Sequence, residues 1–205
     1  MRTGRGSRFA AALLALLAAA AVLLQAWLTL ALVRGQGGGV LQALGVLAGY
    51  FTILSNVFVA LTATVQAGAP GAWLARASVR GCATTAIVLV GLGYHLLLRE
   101  VWDPQGWQRV ADDLLHYAVP IAALLHWLLF PSREPLPATA PLRWLAYPLA
   151  YVVWVLARGA WLGTYPYPFV DVAALGYGRV ALNAAGLSLV FLATGALLRW
   201  VSGRR

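Results

Sequence analysis

Polar side chains that could do chemistry are few in this chain, and most of them interrupt long apolar stretches. Six stand inside apolar runs: Thr52, Asn56, His95, His116, Arg158 and Asn183. A polar group inside a membrane segment is costly, and by default it indicates a functional site. A threonine hydroxyl beside a histidine ring could act as a nucleophile with its general base, which is the chemistry of acyl transfer.

His116 has two acidic residues on its own helical face. Asp112 and Asp113 precede it by four and three residues, so either carboxylate could lie beside the ring. A carboxylate that binds one ring nitrogen fixes the tautomer and orients the base. The same pair could instead be an acidic first turn that favours the helix dipole. The spacing leaves open which of the two orients His116.

The other polar residues have structural roles to weigh against functional ones. Thr52 could bond back to its own helix, and Asn56 could be interhelical glue or an oxyanion donor. His95 could pair with Glu100 or lie in the membrane interface. His126, next to a tryptophan, is expected to be a hydrogen-bonded core residue.

Arg158 belongs to the segment 151–171, which begins as a membrane helix and ends as a rigid aromatic–proline stretch. Prolines end the helix because they lack an N–H and restrict the preceding residue. The aromatic residues around them are Tyr165, Tyr167 and Phe169. Arg158 could anchor an anionic substrate group, or pair with Asp171 or an acid of the fourth helix. We expect the aromatic stretch to roof a pocket.

Composition places the chain among integral membrane proteins. Hydrophobic residues make up 61% of the chain and charged residues 10%, whereas soluble domains carry about 25% charged residues. All basic residues are arginine, which is typical of a G+C-rich bacterial genome, so the net charge of +9 does not indicate nucleic-acid binding. The single cysteine, Cys82, excludes an intrachain disulfide.

Six apolar segments predict an all-α protein with six transmembrane helices in one bundle and one domain. The predicted helices cover roughly 9–33, 44–66, 81–98, 111–130, 141–163 and 179–201. The N-terminus resembles a signal peptide, but its apolar run is long enough to span a bilayer. We therefore expect a retained first helix.

Arginines define the expected orientation. Six spans put both termini on one side, and ten arginines fall there: Arg2, Arg5, Arg8, Arg76, Arg80, Arg133, Arg143, Arg199, Arg204 and Arg205. Five of the six acids fall on the other side. The positive-inside rule then predicts cytoplasmic termini in the inner membrane.

Depth along the predicted helices brings the polar residues together. Thr52 lies about eight residues, or roughly 12 Å, into the second helix, and His116 lies about one turn into the fourth. His95, Arg158 and Asn183 fall at a similar level. The inner half is expected to be mostly Ala, Leu and Val. The pattern predicts one polar pocket in the outer half of the membrane.

Known cofactor and catalytic motifs are absent from the sequence. The three histidines are not at metal-ligand spacing, and neither a glycine-rich phosphate loop nor a G-x-S-x-G elbow occurs. We expect no cofactor. A haem held by His95 and His116 remains an alternative.

Three blocks resemble a known family: 50–56 (YFTILSN), 115–120 (LHYAVP) and 151–171 with its Tyr-Pro-Phe step. They are similar to the androgen-induced protein family of integral membrane hydrolases, in its bacterial branch. The animal members of this family include the androgen-dependent TFPI-regulating proteins. The resemblance implies a threonine hydrolase of fatty acid esters of hydroxy fatty acids. It places the nucleophile on Thr52, the histidine on His116 and a family acid on Asp171.

These observations predict an intramembrane ester hydrolase whose substrate is a lipid from the outer leaflet. His116 would take the proton of Thr52, and Asn56 or Tyr117 would hold the oxyanion. Expected substrate contacts come from Arg158, His95, Asn183, Tyr165, Tyr167, Phe169 and Asp171. A non-catalytic lipid-binding or transport protein with the same pocket is the alternative.

Overall fold

The computed structural model describes residues 4–132 and 134–203, and within them the chain is helical with no strand. Its α-helices are α1 Arg5–Gly35, α2 Val40–Ala48, α3 Phe51–Gly68, α4 Ala77–Gly93, α5 Gly106–Asp113, α6 Val119–Leu129, α7 Ala140–Trp144, α8 Ala146–Leu162 and α9 Val172–Gly203. Four arginines used for the orientation lie outside the described residues: Arg2, Arg133, Arg204 and Arg205.

Five helices are long and apolar enough to cross a membrane. They are Arg5–Gly35, Phe51–Gly68, Ala77–Leu98, Ala140–Leu162 and Val172–Gly203. The fourth predicted span is also helical, over 106–129, but it is not among the five. Arg109, Asp112 and Asp113, together with two histidines, lower its apolar character.

The predicted continuous helix over 44–66 is wrong, because the chain breaks between α2 and α3. Gly49 ends α2, and Tyr50 is extended with φ −96° and ψ 123°. With nine residues, α2 is too short to span a bilayer. Thr52 therefore lies in the first turn of α3 rather than deep within a span.

Side chains of α8 bind the free end of α2. Tyr151 Oη donates to the Gly49 carbonyl at 2.9 Å, and Trp154 Nε1 donates to the Ala48 carbonyl at 2.9 Å. Arg158 Nε donates to the Gly45 carbonyl at 3.2 Å. The last carbonyls of a helix have no partner within the helix, so these three donors stabilise the break that exposes the start of α3.

Two π-helical turns interrupt the helices that face α3. Tyr94–Leu98 extends α4, and Leu114–Ala118 joins α5 to α6. Pro120 has no N–H to give to the His116 carbonyl four residues earlier, which favours the irregular turn. Gly91 allows the close approach of α4, since a Cβ there would lie 3.1 Å from the His116 carbonyl oxygen and from Pro120 Cβ.

The helices pack around α3 and α4. The first helix lies along α3 through small residues at helical spacing, namely Ala11, Ala15, Ala18 and Ala21. Small side chains let membrane helices approach closely. In turn, α4 contacts α3, α6 and α9. More of α3 and α4 is buried than of the spans that contain α8 and α9, whose apolar surface faces outward.

Three polar side chains are buried in the part of the bundle that is expected to be mostly Ala, Leu and Val. Gln66, Arg80 and His126 lie near the predicted cytoplasmic ends of their helices. Gln66 Nε2 donates to Ser7 Oγ at 3.2 Å, and an Arg80 guanidinium nitrogen lies 3.5 Å from the Phe130 carbonyl. His126 is buried as expected, but its Nε2 has no hydrogen-bond partner among the described residues.

The last two predicted helices differ in detail from the observed ones. The predicted span 141–163 is divided at Leu145 into α7 and α8. The helix predicted over 179–201 begins earlier, at Val172, and has a kink at Gly176, where φ is 72°. Glycine adopts this conformation without the penalty that a Cβ would bring.

Candidate active site

Thr52 and His116 are in hydrogen-bond contact. Thr52 Oγ1 lies 3.3 Å from His116 Nε2. The threonine side chain is buried in the first turn of α3, and its hydroxyl contacts His116 and Tyr167 and not a carbonyl of its own helix. This removes the structural alternative for Thr52.

Asp112 is the acid that orients His116. His116 Nδ1 lies 3.0 Å from the Asp112 carbonyl oxygen and 3.2 Å from its Oδ1. Two acceptors at Nδ1 place the proton there, so Nε2 faces Thr52 with a lone pair. Asp113 instead accepts from exposed Arg109 at 3.2 Å. The Tyr94 ring stacks on the imidazole at 4.1 Å, which holds its plane.

Tyr167 is the third member of the cluster. Its Oη lies 3.3 Å from Thr52 Oγ1 and accepts from the Thr52 N–H at 3.3 Å. Since it accepts from the amide, its own proton points to Thr52 Oγ1. Burial raises the pKa of Tyr167 to about 12, so the phenol stays protonated and a donor at neutral pH.

One direction of donation satisfies the whole cluster. The Thr52 N–H donates to Tyr167, the Tyr167 hydroxyl to Thr52 Oγ1, the Thr52 hydroxyl to His116 Nε2, and His116 Nδ1–H to Asp112. Each group is used once, as its donor and acceptor capacity allows. The arrangement passes the threonine proton toward the imidazole, which is what a nucleophile and its base require.

The loop 163–171 carries Tyr167 into this site. It leaves α8 at Gly163, where φ is 69°, and the Tyr165 ring packs directly on Gly159, where a Cβ would collide with it. Asn183 Nδ2 donates to the Phe169 carbonyl at 2.9 Å. These contacts fix the loop on α8 and α9.

Aromatic rings and a helix cap complete the positioning of this loop. Phe169 stacks on Tyr167 with centroids 5.1 Å apart, and Tyr50 contacts the same ring edge-on. Asp171 Oδ1 accepts from the N–H groups of Ala173 and Ala174, which caps α9. The acid that the resemblance highlights is therefore a helix cap in this fold.

Asn56 and Tyr117 do not face the threonine oxygen as oxyanion donors would. Asn56 Nδ2 donates to the carbonyls of Thr52, at 2.8 Å, and Leu115, at 3.3 Å, and so ties α3 to the π-helical turn. Tyr117 Oη lies 3.2 Å from His95 Nδ1. Asn56 therefore links two helices by hydrogen bonds, which is the structural one of its two expected roles.

His95 and Arg158 lie outside the cluster. His95 is exposed and contacts Tyr117 and Arg99, and Arg99, rather than His95, pairs with Glu100 at 2.9 Å. Arg158 binds carbonyls of α2 and of the loop, and it lines neither of the cavities described below. Its position is that of a structural clamp, and Asp171 is not its partner.

An apolar cavity adjoins the Thr52–His116 pair on one side. Its volume is about 100 Å³, and it is partly open to the outside. Apart from Thr52, His116 and a few hydroxyl groups, it is lined by apolar side chains of α4, α8 and α9, including Leu89, Val152 and Leu187. Tyr167 and Phe169 line it from the loop. Such a cavity suits a hydrocarbon chain.

A second cavity adjoins the same pair on the other side, toward α1, α2 and α5. Most of its lining is also apolar, but it contains more polar groups than the first, and we call it the polar cavity. Its volume is about 370 Å³. Asp112, Gln25, Thr29 and Gln108 contribute polar atoms to its wall. Five residues line both cavities: Thr52, Tyr94, Leu98, His116 and Tyr167. The reactive pair thus lies where an apolar and a polar chamber meet.

Sequence reasoning missed Tyr167 as a partner of Thr52, and it missed the polar wall of α1 and α5. The available signal for Tyr167 was its place between two prolines. This predicts a rigid loop, but it does not predict which part of the protein the tyrosine contacts. Gln25 and Thr29 are four residues apart on one face of an apolar helix, which is the spacing of a shared polar site.

The two histidines do not form facing haem ligands. The His116 nitrogens contact Thr52 and Asp112, whereas His95 contacts Tyr117 and Arg99 at the exposed end of α4. Within the described residues, no group of three or more His, Cys, Asp or Glu side chains could hold a metal ion.

The chain matches no family model, and no curated protein or solved structure matches it.

Proposed function

We propose that this protein is an intramembrane ester hydrolase with Thr52 as nucleophile and His116 as general base. The observation that carries the proposal is the 3.3 Å contact between Thr52 Oγ1 and His116 Nε2, together with the contacts of the opposite ring nitrogen with Asp112. Threonine is a poor nucleophile unless a base activates it. This arrangement supplies the base, its orientation and a neighbouring donor.

In the first half of the proposed reaction, Thr52 Oγ1 attacks the ester carbonyl carbon while His116 Nε2 takes its proton. The Tyr167 hydroxyl, freed from Thr52, donates to the oxyanion that forms. The carbon–oxygen bond to the alcohol then breaks, and His116 returns the proton to the leaving alcohol. An acyl-threonine remains.

In the second half, a water molecule attacks the acyl-threonine. His116 removes a proton from the water, the carbonyl–threonine bond breaks, and the same proton passes to Thr52 Oγ1. The carboxylic acid leaves, and the site returns to its starting protonation. Water would reach the ester carbonyl through the polar cavity, which borders the pair opposite the apolar one.

The proposed substrate is a lipid ester, because the apolar cavity lies among helices that cross the membrane. An acyl chain would occupy this cavity with its ester at Thr52. We place the site in the outer leaflet of the inner membrane, with six spans and cytoplasmic termini, on the distribution of arginines. The resemblance to the androgen-induced protein family, whose animal members cleave fatty acid esters of hydroxy fatty acids, supports the same chemistry.

The alternative is a non-catalytic protein that binds or moves a lipid through the same cavities. The apolar cavity alone favours this alternative as much as catalysis. The Thr52–His116–Asp112 arrangement favours catalysis, because a lipid-binding pocket needs no oriented base.

A fluorophosphonate probe tests the proposal on the purified full-length protein. It reacts with hydroxyl nucleophiles that a base has activated, so we expect labelling that is lost in Thr52→Ala and in His116→Ala. Binding of a fluorescent fatty acid ester serves as the folding control for both variants. Ester binding without hydrolysis or labelling would support the lipid-binding alternative.

A further inference from the structure

The polar cavity is walled by uncharged hydrogen-bonding groups on its α1 and α5 side. Gln108 Nε2 donates to Gln25 Oε1 at 2.8 Å, and Gln25 Nε2 donates to Thr29 Oγ1 at 3.2 Å. Gln25 Nε2 also lies 3.5 Å from Gln108 Oε1, so both of its N–H groups are engaged. Spare donors remain on Gln108, whose amide has a second N–H, and on Thr29, whose hydroxyl proton is not used in these bonds. The wall can therefore bind hydroxyl groups as donor and acceptor.

The cavity wall contains one carboxylate, that of Asp112. The residue is 4% exposed, and its Oδ2 is enclosed by protein atoms with no hydrogen-bond partner among the described residues. The Tyr94 phenol also interacts with this carboxylate. Asp112 therefore acts on a ligand in the cavity through its charge, which repels an anionic group.

No cation compensates for this charge in the cavity wall. Within the described residues no arginine lines the polar cavity, and the chain contains no lysine. Arg158, the cation expected from the sequence to hold a carboxylate, binds the Gly45 and Thr164 carbonyls instead. A leaving group with a free carboxylate would therefore lose its hydration close to the Asp112 carboxylate, with no cation in the wall to compensate.

From this chemistry we infer that the leaving alcohol is neutral and carries hydroxyl groups. The substrate class is an ester of a long-chain fatty acid with a small uncharged polyol, such as a monoacylglycerol. The acyl chain occupies the apolar cavity, and the polyol hydroxyls contact Gln108 and Thr29. This inference rests on the proposed function, and it differs from the acidic leaving group that the family resemblance implies.

Matched esters test the inference on the purified full-length protein in detergent. The three probes are 1-palmitoylglycerol, the palmitoyl ester of glycerate, in which one CH₂OH is replaced by a carboxylate, and the methyl ester of the latter. Methyl palmitate provides a reference with no polar leaving group. We expect kcat/KM for the glycerol ester to exceed that for the glycerate ester by about tenfold or more, and methylation to recover part of the loss.

Two variants locate the preference in the polar cavity. Gln108→Leu should lower the ratio of kcat/KM for 1-palmitoylglycerol over methyl palmitate by about tenfold. The variant loses a contact with the glycerol hydroxyls, and methyl palmitate has no such hydroxyls. Gln105→Leu is the matched control, since its side chain is exposed and donates only to the Asp103 carbonyl at 3.5 Å. Its ratio should equal that of the wild type.

The outcomes separate the inference from the proposed function. Thr52-dependent hydrolysis with equal or faster turnover of the glycerate ester would overturn the inference and leave the hydrolase in place. A wild-type protein that cleaves none of the four esters and takes up no fluorophosphonate would overturn the hydrolase itself. A glycerol preference that Gln108→Leu leaves intact would overturn the assignment to this wall.

Discussion

At the scale of single residues, two side chains contact Thr52 Oγ1, and the proposed mechanism gives each a separate task. His116 would accept the hydroxyl proton, and Tyr167 would donate to the oxygen. Thr52 and His116 were predictable because each interrupts an apolar run, and Asp112 was predictable from its spacing of four residues before His116. The sequence could not show which of Asp112 and Asp113 contacts His116, because both spacings put an acid on the same helical face.

Tyr167→Phe tests the proposed oxyanion donor. The phenyl ring keeps the stacking on Phe169 but loses the hydroxyl, and removing one such donor costs roughly 10²–10³-fold in kcat in other acyl-transfer enzymes. We expect a loss of that order in ester hydrolysis with little change in KM. Tyr177→Phe is the control, because Tyr177 is exposed on α9. Equal rates for the two variants would remove Tyr167 from the mechanism.

Asp112→Asn tests the orienting role. The amide would present an N–H to His116 Nδ1 in place of an acceptor, which favours the wrong tautomer, and the comparable change in a serine protease costs about 10⁴-fold in kcat. We expect a smaller loss, roughly 10²-fold, because the Asp112 carbonyl still accepts from Nδ1. Asp113→Asn should retain most activity, and a reversed order of the two variants would contradict the assignment.

At the scale of elements, the break between α2 and α3 decides where Thr52 lies. The sequence reads as one apolar helix through this point because glycine is tolerated in membrane helices. Donors more than a hundred positions away make the break favourable, namely Tyr151, Trp154 and Arg158 of α8. Contacts at such separation have no local signature, and Tyr167 was missed for the same reason.

Arg158→Met tests the structural role of this residue. Loss of its hydrogen bonds to the Gly45 and Thr164 carbonyls should destabilise the protein by about 1–2 kcal/mol, which corresponds to roughly 2–8 °C in apparent Tm. The preference between neutral and carboxylate-bearing esters should stay the same. Arg143→Met, at an exposed position, is the thermal control. A selective loss of carboxylate-bearing substrates would instead make Arg158 a substrate anchor.

At the scale of the whole molecule, hydrophobic content and segment length predicted the class correctly. An all-helical chain with membrane-spanning helices follows from the apolar runs alone. The sixth span stays a prediction, since the helix 106–129 contains Arg109, Asp112 and Asp113, of which Asp112 belongs to the candidate site. Polar residues that serve a site weaken the signal by which a span is recognised.

Single cysteines test the topology in a Cys82→Ala background. Asp103 lies before α5 and Ala138 lies after α6, and both are exposed. If the helix 106–129 crosses the membrane, an impermeant maleimide added to intact cells will label Asp103→Cys and leave Ala138→Cys unlabelled. Gly71→Cys, between α3 and α4, should also be protected. Equal labelling of the cysteines at 103 and 138 would contradict six spans.

The most direct test of the account is the site of covalent labelling by a fluorophosphonate. The purified protein is treated with the probe, digested and analysed by mass spectrometry, with Thr52→Ala and Thr52→Ser in parallel. The account predicts one adduct on Thr52, no adduct in the alanine variant, and an adduct on the introduced serine hydroxyl. An adduct on another residue, or labelling that persists in Thr52→Ala, would contradict it.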